Sequence, residues 1–125
     1  RSYIYTTASP ALLSHALLTS LELIEHDEWR RDALSCNIAQ LRQELRSLPW
    51  SLLASETAIQ PLLVGDNDRT VRLSHALREY GILVAAIRPP TVPHGTARLR
   101  ISLSALHQPQ DIERLAQGLR KLAST

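Results

Sequence analysis

Ile82-Leu83-Val84-Ala85-Ala86-Ile87-Arg88-Pro89-Pro90-Thr91-Val92-Pro93-His94-Gly95-Thr96-Ala97-Arg98-Leu99-Arg100-Ile101 joins an apolar run, a proline-rich loop and an alternating segment. The run Ile82 to Ile87 has the pattern of a strand covered on both faces. It stops at Arg88, because Pro89 and Pro90 remove two backbone donors and fix φ at both positions. Pro93 and Gly95 keep the connection irregular but stiff. From Ala97 the chain alternates, with Ala97, Leu99, Ile101 and Leu103 on one face and Arg98, Arg100, Ser102 and Ser104 on the other. Residue types and periodicity leave two readings open here. Arg88 at a strand end and Arg100 on a polar sheet face can converge on one carboxylate, which suits the planar fork of a guanidinium. Alternatively, an exposed sheet face simply carries arginines and the prolines form a turn.

Outward from this stretch the pattern predicts a β-β-α-β-β-α order. Pro109 opens a helix with Ile112, Leu115, Leu119 and Leu122 on its apolar face. Upstream, Trp50-Ser51-Leu52-Leu53 reads as a short strand and Ile59-Gln60-Pro61-Leu62-Leu63-Val64 as a longer one. Pro61 suggests an edge position or an irregularity. Gly65-Asp66-Asn67-Asp68 is a turn that supplies helix caps. A helix follows with Val71, Leu73, Leu77 and Tyr80 inward, and Gly81 placed to stop it.

Earlier still, Tyr3-Ile4-Tyr5-Thr6-Thr7 reads as a short strand, and Ser9-Pro10 as a helix start with Ser9 capping. Leu13, Leu17, Leu21 and Ile24 mark one helical face. It resumes at Leu34, Ile38, Leu41, Leu45 and Leu48 until Pro49 ends it. The polar interruption at His26-Asp27-Glu28 leaves either one bent helix or a second helix capped by Asp27, and we favour a near-continuous arm. The expectation is an α+β fold: a three- to four-stranded, largely antiparallel sheet with helices on one face. Residues 1–48 form an N-terminal strand and interdomain helical arm, and 49–125 the C-terminal domain.

Composition narrows the function. The 125 residues suit one modest core. Thirteen arginines and one lysine against twelve acidic residues give a net charge of +2, scattered rather than clustered, which argues against nucleic acid. No apolar run has the length of a membrane span. The single Cys36 lies in a helical pattern and reads as a small core or boundary residue. His15, His26, His75, His94 and His107 lack the short spacings of a metal site. No nucleophile elbow, phosphate loop or acid–base pair is visible, so the residues alone stop at a small-molecule-binding α+β domain. With no methionine in the chain, we expect it to be a piece of a longer protein.

Arg88-Pro89-Pro90-Thr91-Val92-Pro93, followed by Gly95-Thr96-Ala97-Arg98-Leu99-Arg100, resembles the C-terminal signature of the α-oxoamine synthases. These pyridoxal-phosphate (PLP) enzymes join an amino acid to an acyl thioester with loss of carbon dioxide. Tyr3 to Thr7 with Pro10, Ala58 to Asn67, and Ser104-Ala105-x-His107 are similar to further blocks of that family, so the likeness covers nearly the whole chain. The arginine stretch resembles most the branch of biotin biosynthesis that takes L-alanine and a pimeloyl thioester, carried on coenzyme A or a carrier protein. Glycine- or serine-using branches and a non-catalytic binding module remain the alternatives.

The resemblance implies the small C-terminal domain of a fold-type I PLP enzyme, working as a cytoplasmic homodimer. It implies Arg100 as the main substrate-carboxylate anchor, Arg88 as a second, Thr91 as a further substrate contact, and Arg98 as structural. Thr6 and Thr7 would reach the cofactor phosphate of the neighbouring subunit. No catalytic residue and no cofactor lysine falls in this chain, which is therefore expected to be inactive alone. Ser9, His94 and the arm around Trp29 depart from the family's pattern.

Overall fold

The computed structural model describes residues 7–124. The strand expected over Tyr3 to Thr7 lies outside the described residues except for Thr7, which is exposed and irregular. The element order is α1 (Ala11–His26), α2 (Glu28–Glu44), β1 (Ser51–Leu52), β2 (Ile59–Gly65), α3 (Asn67–Glu79), β3 (Ala85–Ile87), β4 (Ala97–Ser102) and α4 (Pro109–Ala123). The four strands form one sheet in the order β1-β2-β4-β3, every neighbouring pair antiparallel. This is the expected α+β architecture.

Alternation along the two central strands divides the sheet. Gln60, Leu62, Ala97, Leu99 and Ile101 are buried on the inner face. On the outer face, Arg100 and Ser102 are exposed, and Pro61 and Arg98 half-buried. The helices cover the inner face. α4 buries Ile112, Leu115, Ala116, Gly118 and Leu119, and α3 buries Thr70, Leu73 and Leu77. A Cβ on Gly118 would stand 3.2 Å from Leu77 Cδ2, so the glycine lets α4 approach α3 closely. Asp66 caps α3 as expected, its Oδ1 accepting from Arg69 N at 2.7 Å. Gly81, at φ +73°, turns the chain out of α3 while Ile82 N donates back to Leu77 O at 2.9 Å.

α2 belongs to the same core. Leu41 and Leu45 are buried in it, and Asn37 Nδ2 donates to Ser104 O at 3.1 Å and His107 O at 3.0 Å, just before α4. Glu44 pairs with Arg120 of α4. α1 differs, with no buried residue along its sixteen.

Several local expectations need correcting. Pro10 is the N-cap of α1 rather than its first helical residue, and Ser9 does not cap it. The arm is two helices parted by the single residue Asp27, whose backbone serves both but whose carboxylate pairs with Arg30 instead of capping. α2 ends at Glu44, and turns through Leu45 to Leu48 separate it from Pro49. Tyr80 is 43% exposed because it sits at the C-cap, past the last inward turn. Cys36 is exposed. Ile82 to Ile87 is not a strand covered on both faces. The Gly81 turn consumes its start, pairing covers Ala85 to Ile87 alone, and β3 is a sheet edge, with Leu83 83% exposed.

Candidate functional site

The polar face of β4 presents Arg98 and Arg100 two residues apart on the outer side of the sheet. Register gives them different surroundings. Arg100 lies between Pro61 of β2 and Ala85 of β3, two side chains without donors, acceptors or length. Its guanidinium is left exposed. Arg98 lies between Leu63 and Ile87, is half-buried, and its Nε donates to Thr96 O at 2.9 Å. That bond ties the start of β4 to the loop before it.

The loop runs from Arg88 to Thr96. Thr91 N donates to Arg88 O at 3.1 Å, and the Pro89–Pro90 peptide is cis. Thr96 closes the other end, its N and Oγ1 both donating to Pro93 O, at 3.2 and 2.7 Å. Gly95 takes φ +75°, a conformation that suits glycine. The turn after β2 abuts this loop, since a Cβ on Gly65 would stand 3.5 Å from Gly95 O.

Arg88, Thr91 and Thr7 are exposed, and Thr6 lies outside the described residues. Arg88 follows Ile87, three positions along from the residue opposite Arg100. The offset is about 10 Å along the strand, and Arg88 lies past the last paired residue of β3, where strand alternation no longer sets its face. Among the described residues, neither Arg88 nor Arg100 has an ion-pair partner. An exposed guanidinium without a partner is free to take an anion, and the structure leaves both Arg88 and Arg100 in that condition without bringing them into contact.

Sequence reasoning missed the polar network behind this face. Pro61 is no edge residue, since β2 lies between β1 and β4. The expected irregularity is present. Leu53 N donates to Pro61 O at 2.9 Å, but Pro61 has no N–H to return to Leu53 O. Arg42 Nη1, from α2, donates to that carbonyl at 3.3 Å. The same nitrogen donates to Gln60 Oε1 at 2.7 Å, and Gln60 Nε2 donates to Ser55 O and Thr57 O at 3.1 and 2.7 Å. Gln60 is fully buried, and these bonds meet the demand that its amide be satisfied. No local pattern announces a donor nineteen residues upstream of Pro61.

Among the described residues, no three His, Cys, Asp or Glu side chains gather as metal ligands. No helix there is long and apolar enough to cross a membrane.

The model of the aminotransferase class I and II family matches residues 1–119, and the chain belongs to that family. Within it the chain is 63% identical to the 8-amino-7-oxononanoate synthase of Nitrosomonas europaea and 57% identical to that of Nitrosospira multiformis, over 98% of its own length in each case. It spans about a third of each relative, 32% and 31%. Solved structures agree on the fold. Sphingomonas wittichii serine palmitoyltransferase superposes with a TM-score of 0.87 at 28% identity, over 98% of this chain and 31% of that one. The 8-amino-7-oxononanoate synthase of Francisella tularensis gives 0.82 at 28% identity, over 97% and 35%. A serine palmitoyltransferase variant from S. paucimobilis, solved with a PLP–myriocin aldimine bound, gives 0.81 at 27% identity, over 98% and 32%.

Proposed function

We propose that this chain is the C-terminal part of a PLP-dependent acyltransferase of biotin synthesis, which condenses L-alanine with a pimeloyl thioester. The products are 8-amino-7-oxononanoate, carbon dioxide and the free thiol of coenzyme A or a carrier protein. The enzyme works as a cytoplasmic homodimer. The observation that carries this reading is the exposed Arg100 on the outer sheet face, unpartnered among the described residues, with the exposed Arg88 just past β3, in a chain 63% identical to an 8-amino-7-oxononanoate synthase.

The chain's own residues do not suffice to hold the cofactor. Its one lysine, Lys121, lies on α4 with Nζ 5.7 Å from the centre of the Tyr80 ring, and the outer sheet face carries no lysine. The cofactor lysine therefore belongs to another part of the enzyme, and this chain alone is inactive. PLP supplies the electron sink of the reaction. This chain holds the substrate. Arg100 anchors the alanine carboxylate, with Arg88 as a second ligand and Thr91 beside them, which fixes the amino acid's orientation. Thr7 and Thr6 contribute to the phosphate site of the neighbouring subunit, and α1 is the link to the rest of the enzyme.

Thiol release by the full-length enzyme, with pimeloyl thioester and L-alanine against glycine and L-serine, tests the proposal. Preference for alanine is expected. Preference for glycine or serine would move the chain to another branch, and no turnover with any of them would overturn the reading.

A further inference from the structure

Arg42 stands where a backbone donor is missing. In an antiparallel ladder, directly opposed residues of a hydrogen-bonded pair exchange two bonds. Leu53 and Pro61 form such a pair by the β1–β2 register, but the proline ring leaves Leu53 O without its donor. Arg42 Nη1 fills that place at 3.3 Å and grips Gln60 Oε1 at 2.7 Å, so one guanidinium holds both sides of the gap. Pro61 is in turn the cross-strand neighbour of Arg100. Pro61 O keeps Leu53 N as its donor in either case; what Arg42 holds is Leu53, opposite Pro61, and Gln60, next to it, so its loss lets the β1–β2 edge shift beside Arg100.

We propose that Arg42 is a positioning residue for the substrate-carboxylate anchor, acting through the strand pair at Pro61 on the seat of Arg100. The inference rests on the reading of Arg100 as that anchor. Arg42 touches no substrate; its effect is confined to where the Arg100 stem can lie. Losing it misplaces the carboxylate ligand and leaves the thioester site alone.

The test uses the full-length, PLP-loaded enzyme and compares wild type with Arg42→Met, Arg42→Met/Pro61→Ala and Arg100→Ala. Arg42→Met raises KM for L-alanine about fivefold, the scale of one hydrogen bond, with KM for the thioester unchanged. Adding Pro61→Ala restores an N–H opposite Leu53 O and recovers at least part of the loss, a rescue that general destabilisation would not show. Should Arg42→Met fail to fold, Arg42→Lys alone and with Pro61→Ala is read in the same way. Equal rises for both substrates, no rise for alanine, or no recovery in the double variant overturns the inference. Arg100→Ala separates the two ideas. If it raises KM for alanine while Arg42→Met does not, only the role of Arg42 fails; if it leaves KM for alanine unchanged, the anchor reading fails and the role of Arg42 fails with it.

Discussion

α1 and α4 are written in nearly the same code and end in opposite environments. Both carry leucines at helical spacing and both open at a proline. α4 buries five residues against the sheet and α3. In α1, by contrast, Leu13, Leu17, Leu21 and Ile24 are each more than half exposed. Periodicity announces that a helix has an apolar face. It does not announce what covers that face, which depends on the length and direction of the connections on either side. α2 lies between the extremes, exposed at its start and locked into the core from Asn37 onward.

The sharpest break of this contrast is Leu119→Ala. Leu119 is fully buried, so its truncation costs about 2–5 kcal/mol, read as a lower urea midpoint. A cost under ~1 kcal/mol would mean that α4 is loosely packed. Next comes Asn37→Ala, which removes both bonds by which α2 holds the carbonyls before α4 and takes from His107 O its side-chain donor, while Ser104 O keeps His107 N. Its cost is about 1–3 kcal/mol, by the same measurement. Leu17→Ala, at 65% exposure on α1, shifts the stability of this chain by no more than about 0.5 kcal/mol. A large shift would show that α1 packs on something in solution. The smallest effect is at the start of α2. The Arg31 guanidinium, hydrogen-bonded to Glu28, holds that carboxyl below its ordinary value. A depressed folded value gives support present above the unfolded value and lost as pH falls through the folded one. Acid titration of the far-UV helix signal should therefore show a slight loss at the acid end that Glu28→Gln abolishes.

Much of the fold was legible because local chemistry and global fold agree. The β-β-α-β-β-α order, the Asp66 cap, the Gly81 stop and the buried face of α4 all follow from spacing and turn residues. Apart from the local misreadings of the α1 and α2 caps, the failures share a cause: burial and pairing are set by partners distant in sequence. Ile82-Leu83-Val84 is as apolar as a central strand, but a left-handed Gly81 and a short β3 put it at an edge. Pro61 looks like an edge residue until Arg42 arrives from α2 to replace its missing donor. Of the candidate site, Arg98 and Arg100 were readable from alternation, since period two places both on the polar face. What differs between them was not readable, because it depends on Pro61 and Ala85 flanking one and Leu63 and Ile87 the other.

The central claim is that Arg100 anchors the carboxylate of the amino-acid substrate. Steady-state kinetics of Arg100→Ala in the full-length enzyme tests it most directly. Removing one partner of a hydrogen-bonded charge pair should lower kcat/KM for L-alanine by the equivalent of about 2–4 kcal/mol, with PLP still bound. An Arg100→Ala enzyme whose kcat/KM for alanine is unchanged would contradict the account.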